Sequence, residues 1–115
     1  MTEKLILAVR RPSESAAVID INGEVDATAD QALVAAYEEA SADGVVSVIL
    51  NFTGLEYMNS SGIGLLVTML IRANRNKQRL CAYGLTDHYR EIFQLTRIDE
   101  AIVVYGSEAE ALSAG

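Results

Sequence analysis

The sequence predicts an α/β domain: a mixed, largely parallel sheet of about five strands, opened by an N-terminal hairpin and joined by about four helices. Three observations predict it. Stretches of strand character alternate with stretches of helical periodicity, the order of a mainly parallel sheet. Residues 45–52, Val-Val-Ser-Val-Ile-Leu-Asn-Phe, are nearly all apolar, as a central strand covered on both faces requires. The first two strand-like stretches are separated only by a turn, so they form a hairpin and make the sheet mixed.

Residues 4–10 alternate loosely and read as the first strand. Residues 11–15 hold the only proline, Pro12, and read as a turn. Residues 16–21 are apolar and β-branched, a second strand, with Asn22-Gly23 expected to close the hairpin because both tolerate positive φ. Residues 29–42 read as a helix with Leu33, Ala36, Tyr37 and Ala40 on one face. Asp26 or Thr28 can cap it, and Asp43-Gly44 ends it. A loop over 53–59 is expected after the central strand. Residues 60–74 form the next helix, with Ile63, Leu66, Val67 and Leu70 at i, i+3, i+4 and i+7. Residues 79–83 are a strand stopped by Gly84. Residues 86–96 are a helix with Tyr89, Ile92 and Phe93 inward. Residues 101–105 are the last strand and 107–113 a short last helix. Crossovers between parallel strands are expected to be right-handed.

Length and composition bound the function. The 115 residues make one domain, 1–115, and at 50% apolar they can bury a core. Nine basic and sixteen acidic side chains leave a net charge of −7. That sign argues against sequence-independent nucleic acid binding and against an anionic membrane surface. Cys81 is the only cysteine, so there is no disulfide framework or Cys-rich metal site, and between Leu80 and Ala82 it reads as a small core residue. No signal peptide is visible, and the longest apolar run, near 63–71, is far below the roughly 20 residues of a membrane span. The expectation is a reduced, cytoplasmic protein with no cofactor, no metal and no membrane insertion.

Chemistry is expected at the segment Tyr57-Met58-Asn59-Ser60-Ser61-Gly62, because sites in open α/β sheets form beyond the carboxyl ends of strands. Ser60 or Ser61 is expected as the N-cap of the following helix. Gly62 and Gly64 each cost about 1 kcal/mol against alanine in a helix, so two of them in a first turn imply a close approach to the backbone. A neighbouring element, a ligand or a partner would explain it. Two readings of the serines stay open. In one, a serine is an ordinary cap and the glycines fit a tight strand–helix contact. In the other, Ser60 accepts a phosphate, which free N–H groups and the helix dipole tolerate at that end. Gly-Lys-Ser/Thr does not follow, and the third glycine of a dinucleotide fingerprint is missing. His88, the only histidine, has nothing evident to orient it as a base. The chain is therefore not expected to be an enzyme. On the helix after the motif, Leu65 and Met69 lie beside the core stripe, next to Thr68 and Arg72. They are either a wide core face or a partner-binding patch.

The stretches Val48-Ile49-Leu50-Asn51-Phe52 and Leu55-Glu56-Tyr57-Met58-Asn59-Ser60-Ser61-Gly62-Ile63-Gly64-Leu65-Leu66 resemble the STAS domain family, named for sulphate transporters and anti-sigma factor antagonists. Gly23-Glu24-Val25-Asp26 looks like the family's turn before the first helix, and Ile92-Phe93-Gln94-Leu95-Thr96-Arg97-Ile98 is similar to a further family stretch. The resemblance covers essentially the whole chain. It implies a mixed, largely parallel sheet and a protein partner: a histidine-kinase-like anti-sigma factor, with a phosphatase that resets the cycle. By motif position Ser60 is the phosphoacceptor, Ser61, Gly62 and Gly64 complete the motif, and Asp26 is the turn acid beside it. The unphosphorylated form would bind the kinase and free a sigma factor; phosphorylation would block binding. Asn59 stands where many members carry Asp, and Arg97 replaces a common glycine. The alternatives are an unphosphorylated STAS adaptor in a sensory assembly or lipid-transport ATPase, with Leu65 and Met69 as anchors, or a module that binds an anion or nucleotide.

Overall fold

The computed structural model describes residues 4–114. β1 (Leu5–Arg10) alternates as the sequence suggests: Leu5, Leu7 and Val9 pack against the core, while Ile6, Ala8 and Arg10 point to the other side. It pairs antiparallel with β2 (Ala16–Val25) around the turn at 11–15. β3 (Ser47–Met58), β4 (Arg79–Tyr83) and β5 (Val103–Tyr105) add in parallel, so the five-stranded sheet has the order β1-β2-β3-β4-β5. Each parallel step is bridged by a helix: α1 (Asp30–Ala40), α2 (Ser60–Arg75) and α3 (Asp87–Leu95). α4 (Glu108–Ser113) follows the last strand.

The helices divide unequally between the two faces. α1, α2 and α3 share one core, in which Leu33, Tyr37, Leu66, Met69 and Phe93 meet Ile19, Ile21, Val48, Leu50 and Phe52. α4 alone covers part of the other face, with Ala111 over Val18, Ile49, Cys81 and Tyr83. Cys81 is fully buried there, and burial pushes its thiol pKa up. It is a core residue, as its neighbours in sequence suggest.

Two strand boundaries differ from expectation for one reason. Asn22-Gly23 does not close the hairpin; β2 runs on to Val25, and the positive φ of Gly23 (111°) serves an irregularity inside the strand. Registers against β3 shift between Asp20 and Asn22 and again between Gly23 and Glu24. A Cβ at Gly23 would overlap the Lys4 carbonyl. Likewise residues 53–58 are not a loop, because β3 continues to Met58 and pairs there with Asn22, Gly23, Glu24 and Val25. This extension is only thinly covered, so Thr53, Glu56 and Tyr57 are exposed and the sequence there lacks the apolar run of a buried strand.

The buried face of α2 is also rotated from the predicted one. Gly62, Leu66, Met69 and Ala73 face the core, Ile63 and Leu70 are half-buried, and Val67 is exposed. The spacing in both sets is helical; packing of Gly62 against β2 selects between them. Arg97 has φ 62°, so the bend after α3 keeps a left-handed, glycine-like backbone despite its side chain.

Candidate functional site

β2 and β3 end side by side. Val25 pairs with Met58, and the Asn59 N–H donates to the Val25 carbonyl at 3.3 Å. The next residue of each strand therefore starts a helical segment at a shared rim. Asp26 follows β2 and caps a 3₁₀ turn, Ala27–Ala29; its carboxylate accepts from the Thr28 N–H at 2.9 Å and the Thr28 hydroxyl at 2.5 Å. Asn59 follows β3 and caps α2; its Oδ1 accepts from the Gly62 N–H at 3.0 Å. Neither Ser60 nor Ser61 is the cap. Asn59 takes that role because its backbone is extended (φ −96°, ψ −176°) and its side chain reaches N3.

The shift by one residue matters to the serines. Ser60 is the first residue of α2, exposed, and its hydroxyl is not spent on capping. Ser61 is exposed beside it. With the Gly62 N–H held by Asn59 and the Ile63 N–H by the Asn59 carbonyl, the helix keeps the N–H groups of Ser60 and Ser61 without a helical acceptor. An anion attached at Ser60 meets these donors and the positive end of the helix dipole.

The two glycines answer different needs. A Cβ at Gly62 would overlap the Val25 carbonyl oxygen and press on Met58, so this glycine lets α2 lie against the end of β2. At Gly64 nothing lies within 4 Å of the position a Cβ would take. Packing among the described residues does not call for a glycine there.

Asp26 is the charged member of the rim. A hydrogen bond from Lys4, followed by those from Thr28, holds its carboxyl down at about 2, and the same contact raises Lys4. Lys4 is a partner that no sequence motif announces, because β1 meets this rim only through the register of the hairpin. Tyr89 is another: from α3 its hydroxyl accepts the Met58 N–H at 2.8 Å and so pins the end of β3. Its inward spacing in α3 was the only signal. His88, next to it, is exposed on α3.

Of the two residues read as either core or partner patch, Met69 is core: it is buried at 2% exposure. Leu65 is half-buried against the same core. The apolar residues left facing out on α2 are Val67 and Ile71.

A family model described as "Mlab, STAS domain" matches residues 8–105. The chain belongs to the STAS family. Among STAS relatives, an anti-sigma-B factor antagonist of Staphylococcus aureus is 28% identical over 93 residues, which span 80% of this chain and 86% of that one. Among solved structures, the phosphorylated form of SpoIIAA, a Bacillus cell fate determinant, superposes with a TM-score of 0.72 at 24% identity, over 95% of this chain and 98% of that one. An anti-sigma factor antagonist from Mycobacterium paratuberculosis gives a TM-score of 0.80 at 20% identity, over 96% and 92%. Both structural likenesses are likenesses of fold: a five-stranded mixed sheet with helices, as expected for a STAS domain.

Proposed function

We propose that this STAS domain is an anti-sigma factor antagonist that switches by phosphorylation at Ser60. Unphosphorylated, it binds a histidine-kinase-like anti-sigma factor and frees a sigma factor. Phosphorylated on Ser60 by that kinase, it is released, and a phosphatase resets it. The observation that carries the reading is Gly64. A helical glycine costs about 1 kcal/mol against alanine, and this one relieves no contact among the described residues. It leaves a bare floor one turn from an exposed Ser60 whose hydroxyl is not the cap of α2, which suits a partner that must reach that hydroxyl. The name of the Staphylococcus aureus relative points the same way.

The role of each residue follows from its place. Asn59 caps α2 and holds Ser60 at its first position. Gly62 seats the helix on β2, and Asp26 fixes the adjoining turn. Ser61 borders the acceptor. Asn59 keeps the capping oxygen that an Asp would supply, so the frame around Ser60 does not depend on a carboxylate. The chain supplies the acceptor, not the catalyst; the chemistry is the kinase's. A phosphate adds about −1.5 to −2 charge, which acts on whatever docks there rather than on the fold. No helix among the described residues is long and apolar enough to cross a membrane, and the proposed partners act in the cytoplasm.

The test is calorimetry with the organism's own kinase-type anti-sigma factor. Ser60→Asp is expected to weaken binding by about a hundredfold, and Ser60→Ala to bind and resist release by ATP. Ser60→Asp binding as tightly as wild type would sink the proposal. A second reading, an adaptor subunit never phosphorylated, draws on the family description, which names Mlab. Mass spectrometry of the native protein separates the two: phosphate on Ser60 supports the switch, and its absence together with a stable native complex supports the adaptor.

A further inference from the structure

The outer face of α2 continues well beyond the site. Ser60, Gly64, Val67, Ile71 and Arg75 recur at spacings of four, three, four and four residues, so they form one line along the helix. All five are exposed, Val67 at 39% and Ile71 at 48%. At 1.5 Å per residue the line runs about 22 Å. At its far end Thr68, Ile71, Arg72, Arg75 and Asn76 line a shallow groove of about 410 Å³.

Cations in a last helical turn complement the helix dipole, and Arg72 also lies 3.6 Å from the Glu38 carboxylate. Those facts account for two arginines. They do not account for Val67 and Ile71 facing water in the same line, between a bare glycine and the arginines. An apolar strip with a basic end is a surface that reads both shape and charge. On a chain of net charge −7, a local positive end opposes the average field and so selects a partner of negative sign. The same average charge works against a polyanion such as nucleic acid or an anionic membrane.

We propose that the line from Ser60 to Arg75 is one continuous docking strip, and that its far end receives an acidic segment of the protein partner. Partner carboxylates pair with Arg72 and Arg75, and partner apolar side chains cover Val67 and Ile71. Glu38 is the internal competitor for Arg72. The inference rests on the reading of this chain as an anti-sigma factor antagonist and adds what its partner must carry.

The experiment titrates the organism's purified kinase-type anti-sigma factor against four proteins at two salt concentrations. They are wild type, Ser60→Asp, the pair Arg72→Glu/Arg75→Glu, and a control pair of the same charge change on α3 and the following bend, Arg90→Glu/Arg97→Glu. The strip predicts a loss of about tenfold or more for the first pair, a flatter salt dependence, and no change for the control pair. Thermal unfolding checks each variant. If the charge reversal unfolds the domain, Arg72→Gln/Arg75→Gln is expected to show the same loss in smaller measure. If Ser60→Asp weakens binding while the Arg72/Arg75 pair does not, the strip is overturned and the switch stands. Equal losses in both pairs mean bulk charge only, which also overturns it. A wild-type protein that binds no anti-sigma factor removes both readings.

Discussion

α2 and α4 both have a serine at their start, as the first residue of α2 and as the residue before α4, and they use it in opposite ways. At α4 the serine is the cap: the Ser107 hydroxyl accepts the Glu110 N–H at 3.2 Å, and the Glu110 carboxylate accepts the Gly106 N–H at 2.9 Å. Glu108 is then held by Arg10 at 2.6 Å and by the Tyr83 hydroxyl at 2.8 Å, with Arg10 also paired to Asp20. At the other end Arg79 donates to the Ala111 and Ala114 carbonyls, each at 3.1 Å. The start of α2 is framed as firmly, but by Asn59, Gly62 and Val25, and its serines are left over. The contrast separates architecture from availability. Polar groups engaged within the chain hold a short helix in place, whereas polar groups left unengaged on a rigid frame are free for a partner.

The largest expected effect tests the frame. Gly62→Ala forces a Cβ into the Val25 carbonyl and is expected to destabilise the domain by about 2–3 kcal/mol, read by urea unfolding. A neutral outcome would mean that the close approach of α2 to β2 is not what sets the helix.

The next effect tests the α4 clamp. Tyr83→Phe removes a donor to a charged acceptor and is expected to cost about 1–2 kcal/mol near neutral pH. Burial and then the Glu108 hydrogen bond push the Tyr83 phenol up to about 12 from 10.0. A raised folded value for an acid means that the neutral form stabilises the fold below the unfolded value. That contribution is complete below pH 10 and is lost as pH rises through about 12. Wild type and Tyr83→Phe should therefore converge in stability between those values, and parallel curves would show that the clamp does not depend on the phenol.

The smallest effect sharpens the comparison of the two glycines. Gly64→Ala meets open space and is expected to stabilise the domain by about 1 kcal/mol, while weakening binding of the anti-sigma factor. Stabilisation without any loss of binding would leave that glycine with no part in docking.

Much of the fold was legible in the chain. The turn at 11–15, the α1 face of Leu33, Ala36, Tyr37 and Ala40, the strand at 79–83 and the α3 helix with Tyr89 and Phe93 inward all follow from local pattern. The site segment was legible too, as serines and glycines at a strand end. What escaped was what depends on neighbours. The extension of β3 through Met58 needs β2 beside it. The cap fell to Asn59 rather than a serine because Asn59, its N–H tied to Val25, keeps an extended backbone and its side chain reaches the Gly62 N–H. Met69 turned out to be core rather than anchor because the seat of Gly62 rotates α2.

Local pattern therefore determined the order of strands and helices, though it ended β2 and β3 too early, and the glycines marked a close approach that the structure places at Gly62. Local pattern is enough for that, since side chains share a face at only two common periods, about 3.6 residues in helices and about 2 in strands. Tertiary structure decided which glycine answers to the chain itself and which stands open, and that the cap of α2 is Asn59, leaving Ser60 exposed. The first turns on a steric contact, Gly62 against the Val25 carbonyl, and the second on Asn59 taking the cap beside Val25; both join residues far apart in sequence whose meeting no local pattern encodes.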